Sequence, residues 1–422
     1  MTRFRTLDHP MIAAIAWNPD RPAEWISDHI AMNRATSNAY LIPGDDGDVV
    51  INTGTAVQGE QIRKNFEALI GRPLKVTQIV FTQSHPDHTG GWQFFADDGV
   101  GTIVQRKFER ICAERKLMGR FFTRRNAKVL AALIPPGDSG AFWFEARDPQ
   151  PLTVFADAHD MTVSGRDYRL LSIPSGETLD ALAVWMPQEK TLFFGIWAGA
   201  IMGASPNFYT ARGDRDRSIV FWLEECQMMI DLSPEMLVTG HDDPIIGAEA
   251  VRAHLTKLRD AVQYLHDETV AGMNEGKTLP ELMAEIALPP HLVLRDGRGP
   301  VNWYVRAIWE EYAGWFRQER TSELYATPPS AIWPEVVALA GGAGVLAEKS
   351  RAHLAAGDVE KALHLIEMAA VAAPDDRGVR ETELAVYEAL ADRTQGRVFD
   401  ELGWLESAII ETRRALDAGP VA

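Results

Sequence analysis

Cysteine is scarce in this sequence: only two of its 422 residues are cysteine, Cys112 and Cys226. Two thiols cannot supply the disulfide framework of a small secreted domain or a thiolate zinc cluster. Both cysteines lie in stretches with the periodicity of amphipathic helices, so we expect them to be small buried hydrophobic residues. The sequence therefore excludes a disulfide scaffold and a sulfur-ligated metal cluster.

Long hydrophobic runs are also missing. The apolar patch from Met11 to Trp17 is ended by Asn18, Pro19 and Asp20, whereas a transmembrane helix needs about 20 apolar residues. The patch does not have the pattern of a secretory signal peptide. We therefore expect a soluble, cytoplasmic protein without a membrane span.

Positive charge is in deficit. The chain carries 42 lysine and arginine residues against 59 aspartate and glutamate residues, for a formal net charge of −17. Such an acidic surface repels phosphate backbones unless one face is locally basic. Nucleic acid is therefore not expected as a partner.

The pattern of secondary structure changes once, near residue 250. Before it, short β-rich runs alternate with turn residues and with helical patterns such as Gln58 to Ile70. The predicted strands lie within Asn38 to Gly44, Asp48 to Gly54, Lys75 to Thr82, Gly101 to Gln105, Tyr168 to Pro174, Leu182 to Pro187, Lys190 to Gly195 and Glu235 to His241. This part of the chain is predicted to be an α/β domain with mixed sheets.

After Ala248 the strand signals vanish and helical periodicity takes over. The stretch 345–376 resembles one helix-turn-helix repeat of the tetratricopeptide kind, with Gly357 and Asp358 as the turn and Pro374 as the stop. One repeat cannot bury its own apolar face, so neighbouring helices or a second subunit must cover it. The aromatic residues before it favour core packing, with a dimer interface as the alternative; they are Trp303, Trp309, Trp315 and Phe316.

A cluster of candidate metal ligands follows the predicted strand that ends near Phe81. In the stretch QSHPDH, Gln83, His85, Asp87 and His88 fall within six positions. Imidazole and carboxylate at this density suit zinc, iron or manganese without any sulfur ligand. The alternative is a polar loop before a helix that starts near Thr89. Three further segments strengthen the metal interpretation because each also follows a predicted strand: SGETLD (175–180), TGHDDP (239–244) and KTLFFGIWAG (190–199).

Together these segments resemble the metallo-β-lactamase fold hydrolases, and within them the alkyl sulfatase-like branch with a helical dimerisation domain. The family signature HxHxDH is matched by QSHPDHTGG except at its first position, and LPPHLVLRDGRGPVNWYVRAIWEEYAGWF resembles the start of the dimerisation domain. The similarity extends from about Ser37 to about Asp376. It implies a metallo-β-lactamase αββα sandwich in residues 1–250, an all-helical, partly tetratricopeptide-like dimerisation domain in 251–395, and a C-terminal helix or tail in 396–422.

The resemblance also implies a ligand set. One metal ion would be held by Gln83, His85 and Glu177, and its neighbour by Asp87, His88 and His241. A bridging carboxylate is expected where Ile196 stands, and the usual aspartate is missing from the strand end at Asn52 to Gly54.

Two of the implied ligands are therefore altered. Glutamine offers only a neutral carbonyl oxygen, and isoleucine donates nothing. We expect one tight site built on Asp87, His88 and His241, with the site near His85 and Glu177 weak or absent. Zinc is the expected metal, with iron or manganese as alternatives; regrouping of His85, His88 and either His241 or Glu177 around one ion stays open.

The stretch SPNFYTARGDRDR (205–217) is placed over the active site by the same resemblance. Asn207, Tyr209 and Arg212 can each donate hydrogen bonds to an anionic head group, and the fork of Arg212 fits a sulfate, phosphate or carboxylate. Arg215 and Arg217 alternate with aspartates, so we interpret them as solvated pairs that contribute little. With Asp87 or Glu177 as proton acceptor, the predicted catalytic residues are Asp87, Glu177, Tyr209 and Arg212.

The densest positive charge lies between Gln105 and Leu130. A solvated basic helical face is the favoured interpretation, and steering of anions toward the site is the alternative. Met118, Phe121 and Phe122 could line an entrance for an alkyl tail, although core packing would also account for them.

The sequence leads to three hypotheses. The first is a metal-dependent hydrolase that cleaves an anionic or alkyl ester, such as an alkyl sulfate, through a metal-activated water at an altered, mononuclear centre. The second is an oxygen-dependent, non-hydrolytic enzyme with a single iron held by two histidines and one carboxylate. The third is a catalytically silent binding protein. In each case the expected partners are a small anionic or alkyl molecule and a second copy of the chain.

Overall fold

The computed structural model describes residues 4–97, 100–130, 148–150, 153–213, 217–295 and 297–418. The strands are β1 Glu24–Trp25, β2 Ala31–Asn33, β3 Ala39–Ile42, β4 Asp48–Ile51, β5 Val76–Val80, β6 Gly101–Gln105, β7 Thr153–Phe155, β8 Ala158–Val163, β9 Arg166–Ser172, β10 Leu182–Met186, β11 Thr191–Phe193, β12 Met236–Val238 and β13 Ile245–Ile246. Every strand predicted from the sequence is present. The edge strands β1, β7, β8 and β13 and the short interior strand β2 were not predicted.

The α-helices lie before, between and after these strands. They are α1 Pro10–Ile15, α2 Gly59–Ile70, α3 Pro86–Thr89, α4 Phe108–Leu117, α5 Gly119–Val129, α6 Ile219–Asp231, α7 Ala248–Asn274, α8 Leu279–Glu285, α9 Val301–Ala313, α10 Trp333–Leu339, α11 Ala343–Ala355, α12 Val359–Ala372, α13 Arg377–Arg393 and α14 Phe399–Ala418. The predicted helix at Gln58 to Ile70 is confirmed as α2, and the predicted helical pair after Val345 is confirmed as α11 and α12.

Two mixed sheets form the centre of the first compact unit. The seven-stranded sheet runs in chain order from β1 to β7, antiparallel up to the β3–β4 pair and parallel from there to β7. The six-stranded sheet has the order β13-β12-β11-β10-β9-β8, and only its β11–β12 pair is parallel. Polar loops at the ends of β5, β9, β11 and β12 carry the predicted site residues.

Apolar side chains at alternating strand positions are buried on both faces of these sheets. One cluster, including Tyr40, Val49 and Val184, takes residues from both sheets and so forms the layer between them. A second cluster joins the first sheet to α2 and α4 and includes Cys112, and a third joins the second sheet to α6 and α7 and includes Cys226. Both cysteines are buried and free, as the sequence predicts. The result is a helix–sheet–sheet–helix sandwich, which confirms the predicted fold.

The long helix α7 belongs to this first unit. Its buried residues Val251, Leu255, Leu258, Val262 and Leu265 follow a spacing of three and four, so they form one stripe, and they pack in the cluster of the second sheet. The unit comprises the described parts of Pro10–Arg125 and Pro136–Trp309. The predicted domain boundary at residue 250 thus lies at the start of α7, whereas the compact units divide after Trp309; the predicted domain limits stay predictions.

The second compact unit is helical. It comprises the described parts of Met1–His9, Asn126–Pro135 and Glu310–Ala422. The repeat-like pair α11 and α12 turns at Gly357, whose φ of 83° suits a residue without a Cβ atom, and its apolar face is covered within the chain by α10, α13 and α14.

The segment before α1 is tied to the last helix of this unit. Glu406 on α14 accepts hydrogen bonds from the backbone nitrogens of Arg5 and Thr6, the latter at 3.3 Å, and from the Thr6 hydroxyl. His9 packs on the ring of Phe399 with 5.2 Å between ring centroids. Residues from distant parts of the sequence therefore complete the helical unit.

Within the described residues no single helix is long and apolar enough to cross a membrane. The pair Pro329–Leu339 and Ala343–Ala355 has sufficient length and apolar composition only when its two parts are taken together, and it bends by 98° between them.

Candidate metal centre

The loop after β5 carries the predicted metal ligands into a buried position. His85 is extended and Pro86 occupies the first turn of α3, where its missing N–H leaves no helical bond unmade. The chain then packs so closely on the loop 53–59 that a Cβ atom on Gly91 would lie 2.2 Å from the Thr53 carbonyl oxygen. Glycine is therefore required there, and the close packing fixes α3 and its side chains.

Asp87, His88 and His241 converge at the sheet edge. The Oδ2 atom of Asp87 lies 3.6 Å from His88 Nε2 and 3.5 Å from His241 Nε2. Among the described residues, these three form the one group whose ligand atoms all lie within 4.8 Å of one another, and all three are buried. The structure thus brings together the three residues that were predicted to form the tight site.

Backbone and hydroxyl groups orient both imidazoles toward Asp87. His241 Nδ1 contacts the carbonyl oxygen of Thr36, which only accepts, so the His241 proton resides on Nδ1. His88 Nδ1 lies 3.0 Å from the Ser37 hydroxyl, which itself donates to the carbonyl oxygen of Gly240 at 3.1 Å. The same hydroxyl lies 3.3 Å from His88 Nε2, and we assign the hydrogen bond to the shorter contact, in which His88 Nδ1 donates to Ser37. In both rings the Nε2 lone pair is left facing Asp87, as a metal ligand requires.

Burial and charge set the ionisation of this trio. Burial opposes ionisation of the Asp87 carboxyl, but the nearby imidazoles of His88, His241 and His85 outweigh it, so the pKa of Asp87 is lowered. Burial lowers the pKa of His88 to about 3, against the smaller opposing effect of Asp87. At neutral pH the centre consists of a carboxylate beside a neutral imidazole, which are the forms that bind a divalent metal.

Asn52 supports the centre in place of the missing aspartate. Its φ of 60° lies in the left-handed region, which asparagine tolerates. Its amide oxygen accepts the Thr82 backbone N–H at 3.0 Å, and its amide nitrogen donates to the Thr82 hydroxyl at 3.0 Å. The same hydroxyl lies 3.3 Å from His88 Nδ1. A neutral amide thus connects the end of β4 to the metal loop.

The other half of the predicted centre has a different arrangement. The amide nitrogen of Gln83 lies 2.9 Å from His85 Nδ1 and donates to it. Glu177 is buried, accepts a hydrogen bond from Arg212, and lies 3.7 Å from the Arg217 guanidinium. Burial opposes ionisation of Glu177, but Arg217, then Arg212 and Arg298, lower its pKa far below the usual range. These residues do not join the group around Asp87, and their assignment as metal ligands stays a prediction.

Ile196 fills the position of the implied bridging carboxylate with an apolar side chain. It is buried, and its Cγ2 atom would lie 3.0 Å from a Cβ atom built on Gly240, the residue before His241. The next residue, Trp197, stacks on Trp222 with ring centroids 4.1 Å apart and an interplanar angle of 4°. This wall of the site therefore offers packing and no ligand.

Glu225 on α6 joins two of the site loops, and sequence analysis missed it. Its carboxylate accepts the Ser175 backbone N–H at 3.1 Å and the Trp197 indole N–H at 2.7 Å. Ser175 begins the loop that carries Glu177, and Trp197 follows Ile196. No motif marks Glu225, because its role depends only on where α6 packs.

Asp180 was also missed. It is buried, and its Oδ1 atom accepts the Ser84 hydroxyl at 3.1 Å. Burial raises the pKa of Asp180 to about 6 despite the hydrogen bond from Ser84. Ser84 lies between Gln83 and His85, so Asp180 connects the SGETLD segment to the metal loop. Its position three residues after Glu177 was the available signal.

The structure corrects the interpretation of Arg217. The sequence suggested a solvated residue in a run of alternating charges, but the Arg217 side chain is 4% exposed and donates to the carbonyl oxygen of Asn207. Arg217 directly precedes Ser218, the N-cap of α6, and its guanidinium lies 3.7 Å from Glu177. The neighbouring residues 214–216, which include Arg215, lie outside the described part of the chain.

The remaining predicted substrate residues lie on the same loop. Both side-chain polar atoms of Asn207 are buried without a hydrogen-bond partner. The ring of Tyr209 packs edge-on against Trp303 and Tyr304, with centroid distances of 5.3 and 5.2 Å. Their roles in substrate binding and catalysis, like that of Arg212, stay predictions.

Two family profiles match the chain. Residues 32–241 match the metallo-beta-lactamase superfamily, and residues 278–401 match the alkyl sulfatase dimerisation family. The chain is 30% identical over 345 residues to a linear primary-alkylsulfatase of Pseudomonas sp. (strain ATCC 19151), covering 75% of this chain and 62% of that protein. It is 26% identical over 391 residues to an (R)-specific secondary-alkylsulfatase of Pseudomonas sp., covering 86% and 58%.

A solved structure agrees in fold. The stereoselective inverting sec-alkylsulfatase from Pseudomonas sp. superposes with a TM-score of 0.78 at 24% identity, over 93% of this chain and 66% of that one. The chain spans less than two thirds of the length of these relatives. The two family matches, the sandwich and the arrangement of the site agree with one another: the chain belongs to the metallo-β-lactamase superfamily, in the alkyl sulfatase-like branch that joins this fold to a dimerisation domain.

Proposed function

We propose that this protein is a metal-dependent hydrolase of alkyl sulfate-like esters. The observation that carries the proposal is the buried group of Asp87, His88 and His241, whose ligand atoms converge within 4.8 Å. The relatives bear the printed names of alkylsulfatases, which supports the choice of ester. Hydrolysis of a sulfate half-ester adds the elements of water and yields an alcohol and hydrogensulfate.

The donor set of this group fits one divalent metal ion, for which zinc is our first choice. Two neutral imidazole nitrogens and one carboxylate oxygen suit a borderline cation, and each histidine is held in the ligating tautomer by its Nδ1 contact. A metal ion bound there would supply Lewis acidity, lowering the pKa of a coordinated water and polarising a substrate oxygen. Iron and manganese are accommodated by the same ligands.

The arginine loop is suited to an anionic head group. The Asn207 amide is 4% exposed and its Nδ2 and Oδ1 atoms lack a protein partner, which is costly unless a ligand satisfies them. Arg212 and Arg217 bring two guanidinium groups to one carboxylate, so the cluster they form with Glu177 carries net positive charge. We propose that Asn207 and Arg212 orient the sulfate, with Tyr209 beside them.

An apolar surface borders this loop. Arg125 on α5 donates to the carbonyl oxygens of Arg212 and Ala211, both at 3.2 Å, and so connects the helix to the loop. One turn earlier on the same helix, Phe121 is 43% exposed. We propose that this face receives the alkyl tail of the substrate.

We also propose a homodimer formed by the helical unit. That unit includes most of the match to the alkyl sulfatase dimerisation family. Large apolar side chains remain exposed on it, and they include Trp315, Leu324, Tyr325, Ile332 and Leu339. An exposed apolar surface of this kind is typical of an association surface.

The decisive experiment combines metal analysis with a substrate panel. The protein is loaded with zinc, dialysed and assayed against alkyl sulfates, phosphate monoesters, lactones and thioesters, with oxygen consumption followed in parallel. We expect sulfate release from alkyl sulfates, and loss of both the metal ion and turnover in Asp87→Ala. The exposed strand residue Asp160 provides the control Asp160→Ala. Oxygen consumption without sulfate release would favour the single-iron alternative, and an unchanged Asp87→Ala enzyme would refute the site.

A further inference from the structure

We propose that the guanidinium groups of Arg212 and Arg217 take the place of a metal ion beside Glu177, so that the centre pairs one metal site with a built-in organic cation. The inference deepens the proposed function and rests on it for the metal site at Asp87. It concerns the residues Gln83, His85 and Glu177, which the family resemblance assigns to a second ion.

Both ring nitrogens of His85 are already occupied, one by a hydrogen bond and one by a proton. Because the Gln83 amide nitrogen lies 2.9 Å from His85 Nδ1 and donates to it, Nδ1 uses its lone pair as an acceptor. The neutral ring then carries its proton on Nε2. Neither nitrogen of His85 is left to ligate a metal in this arrangement, whereas His88 and His241 each keep Nε2 for a ligand bond.

The carboxylate of Glu177 already has arginine partners. Its Oε1 atom already accepts from Arg212 and lies 3.7 Å from Arg217. Glu177 and Arg217 are both almost fully buried, and Arg217 is anchored through its other guanidinium nitrogen to the Asn207 carbonyl oxygen. Two cations and one anion already share this space, so a divalent ion would meet repulsion from both guanidinium groups in a setting with little screening.

Ile196 stands where a carboxylate would be needed between two metal ions. A pair of metal ions held close together needs an anion between them to reduce their repulsion. Ile196 is buried and supplies none. Each guanidinium spreads its single charge over a planar group, whereas a metal ion would concentrate two charges at one point beside the neighbouring site.

A built-in cation has a functional consequence. A guanidinium spreads its charge over a planar fork of N–H donors that matches two oxygens of a sulfate, and it cannot be lost by dilution or chelation. The substrate head group would therefore meet a permanent positive charge on one side and the metal site on the other. The metal requirement of the protein should be one ion per chain under all loading conditions.

Metal stoichiometry tests this directly. Protein loaded with excess zinc and dialysed is analysed by elemental mass spectrometry, alongside Glu177→Gln and Arg217→Leu. We expect about one ion per chain in the wild type, and the same count and affinity in Glu177→Gln, because Glu177 holds arginine and not metal. In Arg217→Leu we expect an additional, weaker zinc-binding event in a calorimetric titration, because Glu177 has lost its buried cation.

A matched control exists in the same unit. Arg72 donates to both oxygens of the buried Asp48, at 2.7 and 2.9 Å, so Arg72→Leu also removes the cation from a buried carboxylate. It should leave the zinc count at one. Circular dichroism verifies the fold of each variant. Should Arg217→Leu not fold, the number of zinc ions per chain in the wild type and in Glu177→Gln still decides whether Glu177 holds a metal ion.

The outcomes separate the two proposals. Two tightly held ions in the wild type, loss of the ion in Glu177→Gln, or no additional event in a folded Arg217→Leu would overturn the arginine assignment while leaving the hydrolase intact. Absence of any ion that depends on Asp87 would instead overturn the proposed function.

Discussion

The indole nitrogen of Trp197 donates to Oε2 of Glu225 at 2.7 Å, and the second oxygen of the same carboxylate accepts the Ser175 backbone N–H at 3.1 Å. One half-buried side chain on α6 thereby joins the loop that carries Glu177 to the loop that carries Ile196. Since both oxygens act as acceptors, the carboxylate form suits this position better than an amide, which must donate with one end.

Glu225→Gln should therefore change the pH dependence of stability. Burial raises the pKa of Glu225 from 4.5 to about 7. Between these pH values the native state binds more protons than the unfolded state, so this group makes the free energy of unfolding fall as pH rises from about 4.5 to about 7. The variant should lack that fall. Urea unfolding at a series of pH values measures it, with the exposed neighbour variant Glu224→Gln as control; parallel profiles for wild type and Glu225→Gln would contradict the assignment.

Ser37→Ala should weaken metal binding without removing a ligand. The Ser37 hydroxyl receives the Nδ1 proton of His88 and so holds the ring in its ligating tautomer. Loss of such a support costs about 10- to 100-fold in metal affinity. Competition with a chelating dye measures the dissociation constant. Ser164→Ala serves as control, because Ser164 also forms hydrogen bonds on both sides, to the nitrogen and oxygen of Gly47. Equal affinities in the two variants would exclude the proposed role.

Phe121→Ser should discriminate between substrates by chain length. If the exposed ring contacts the alkyl tail, its loss removes about 1 kcal/mol of apolar contact, or about fivefold in kcat/KM. Long-chain alkyl sulfates should show the loss and short-chain ones should not. Phe221, an exposed phenylalanine on α6, provides the control Phe221→Ser. A loss that is independent of chain length would place the tail elsewhere.

Trp315→Ala should weaken dimerisation. Trp315 is 75% exposed on the helical unit, which is unusual for an indole that has no partner molecule. Light scattering should give twice the chain mass of 46.8 kDa for the wild type and a concentration-dependent fall toward the single-chain mass for the variant. Trp25→Ala, at an exposed tryptophan on β1, is the control. A wild-type protein that stays monomeric would refute the dimer.

Local patterns predicted most of the fold and singled out Asp87, His88 and His241, which the structure brings together. The strands that carry the site read as short apolar runs followed by turn residues, and QSHPDH placed Asp87 and His88 directly after one of them. His241 was found in the same way. The strand predictions succeeded because strand periodicity acts over a few residues, and the role of the three side chains as metal ligands stays a prediction.

The parts that depend on packing between distant segments were not predictable in this way. Arg217 looks like a surface residue in a run of charges, and only the course of the chain into α6 buries it against Glu177. Glu225 carries no motif at all. The altered positions Gln83 and Ile196 were recognised as departures from the family pattern, but the sequence did not show that arginine approaches Glu177 in their place.

The contact between Thr6 and Glu406 also orders events during synthesis. These two residues are 400 positions apart, so the ribosome must translate the whole sandwich and most of the helical unit before the partner of Thr6 exists. Because domains fold as their residues emerge, the sandwich can reach its folded state while the helical unit still lacks α14. The segment Arg5–Asp8 therefore cannot form its hydrogen bonds to Glu406 until α14 has been translated. The helical unit is the last part of the protein to be completed.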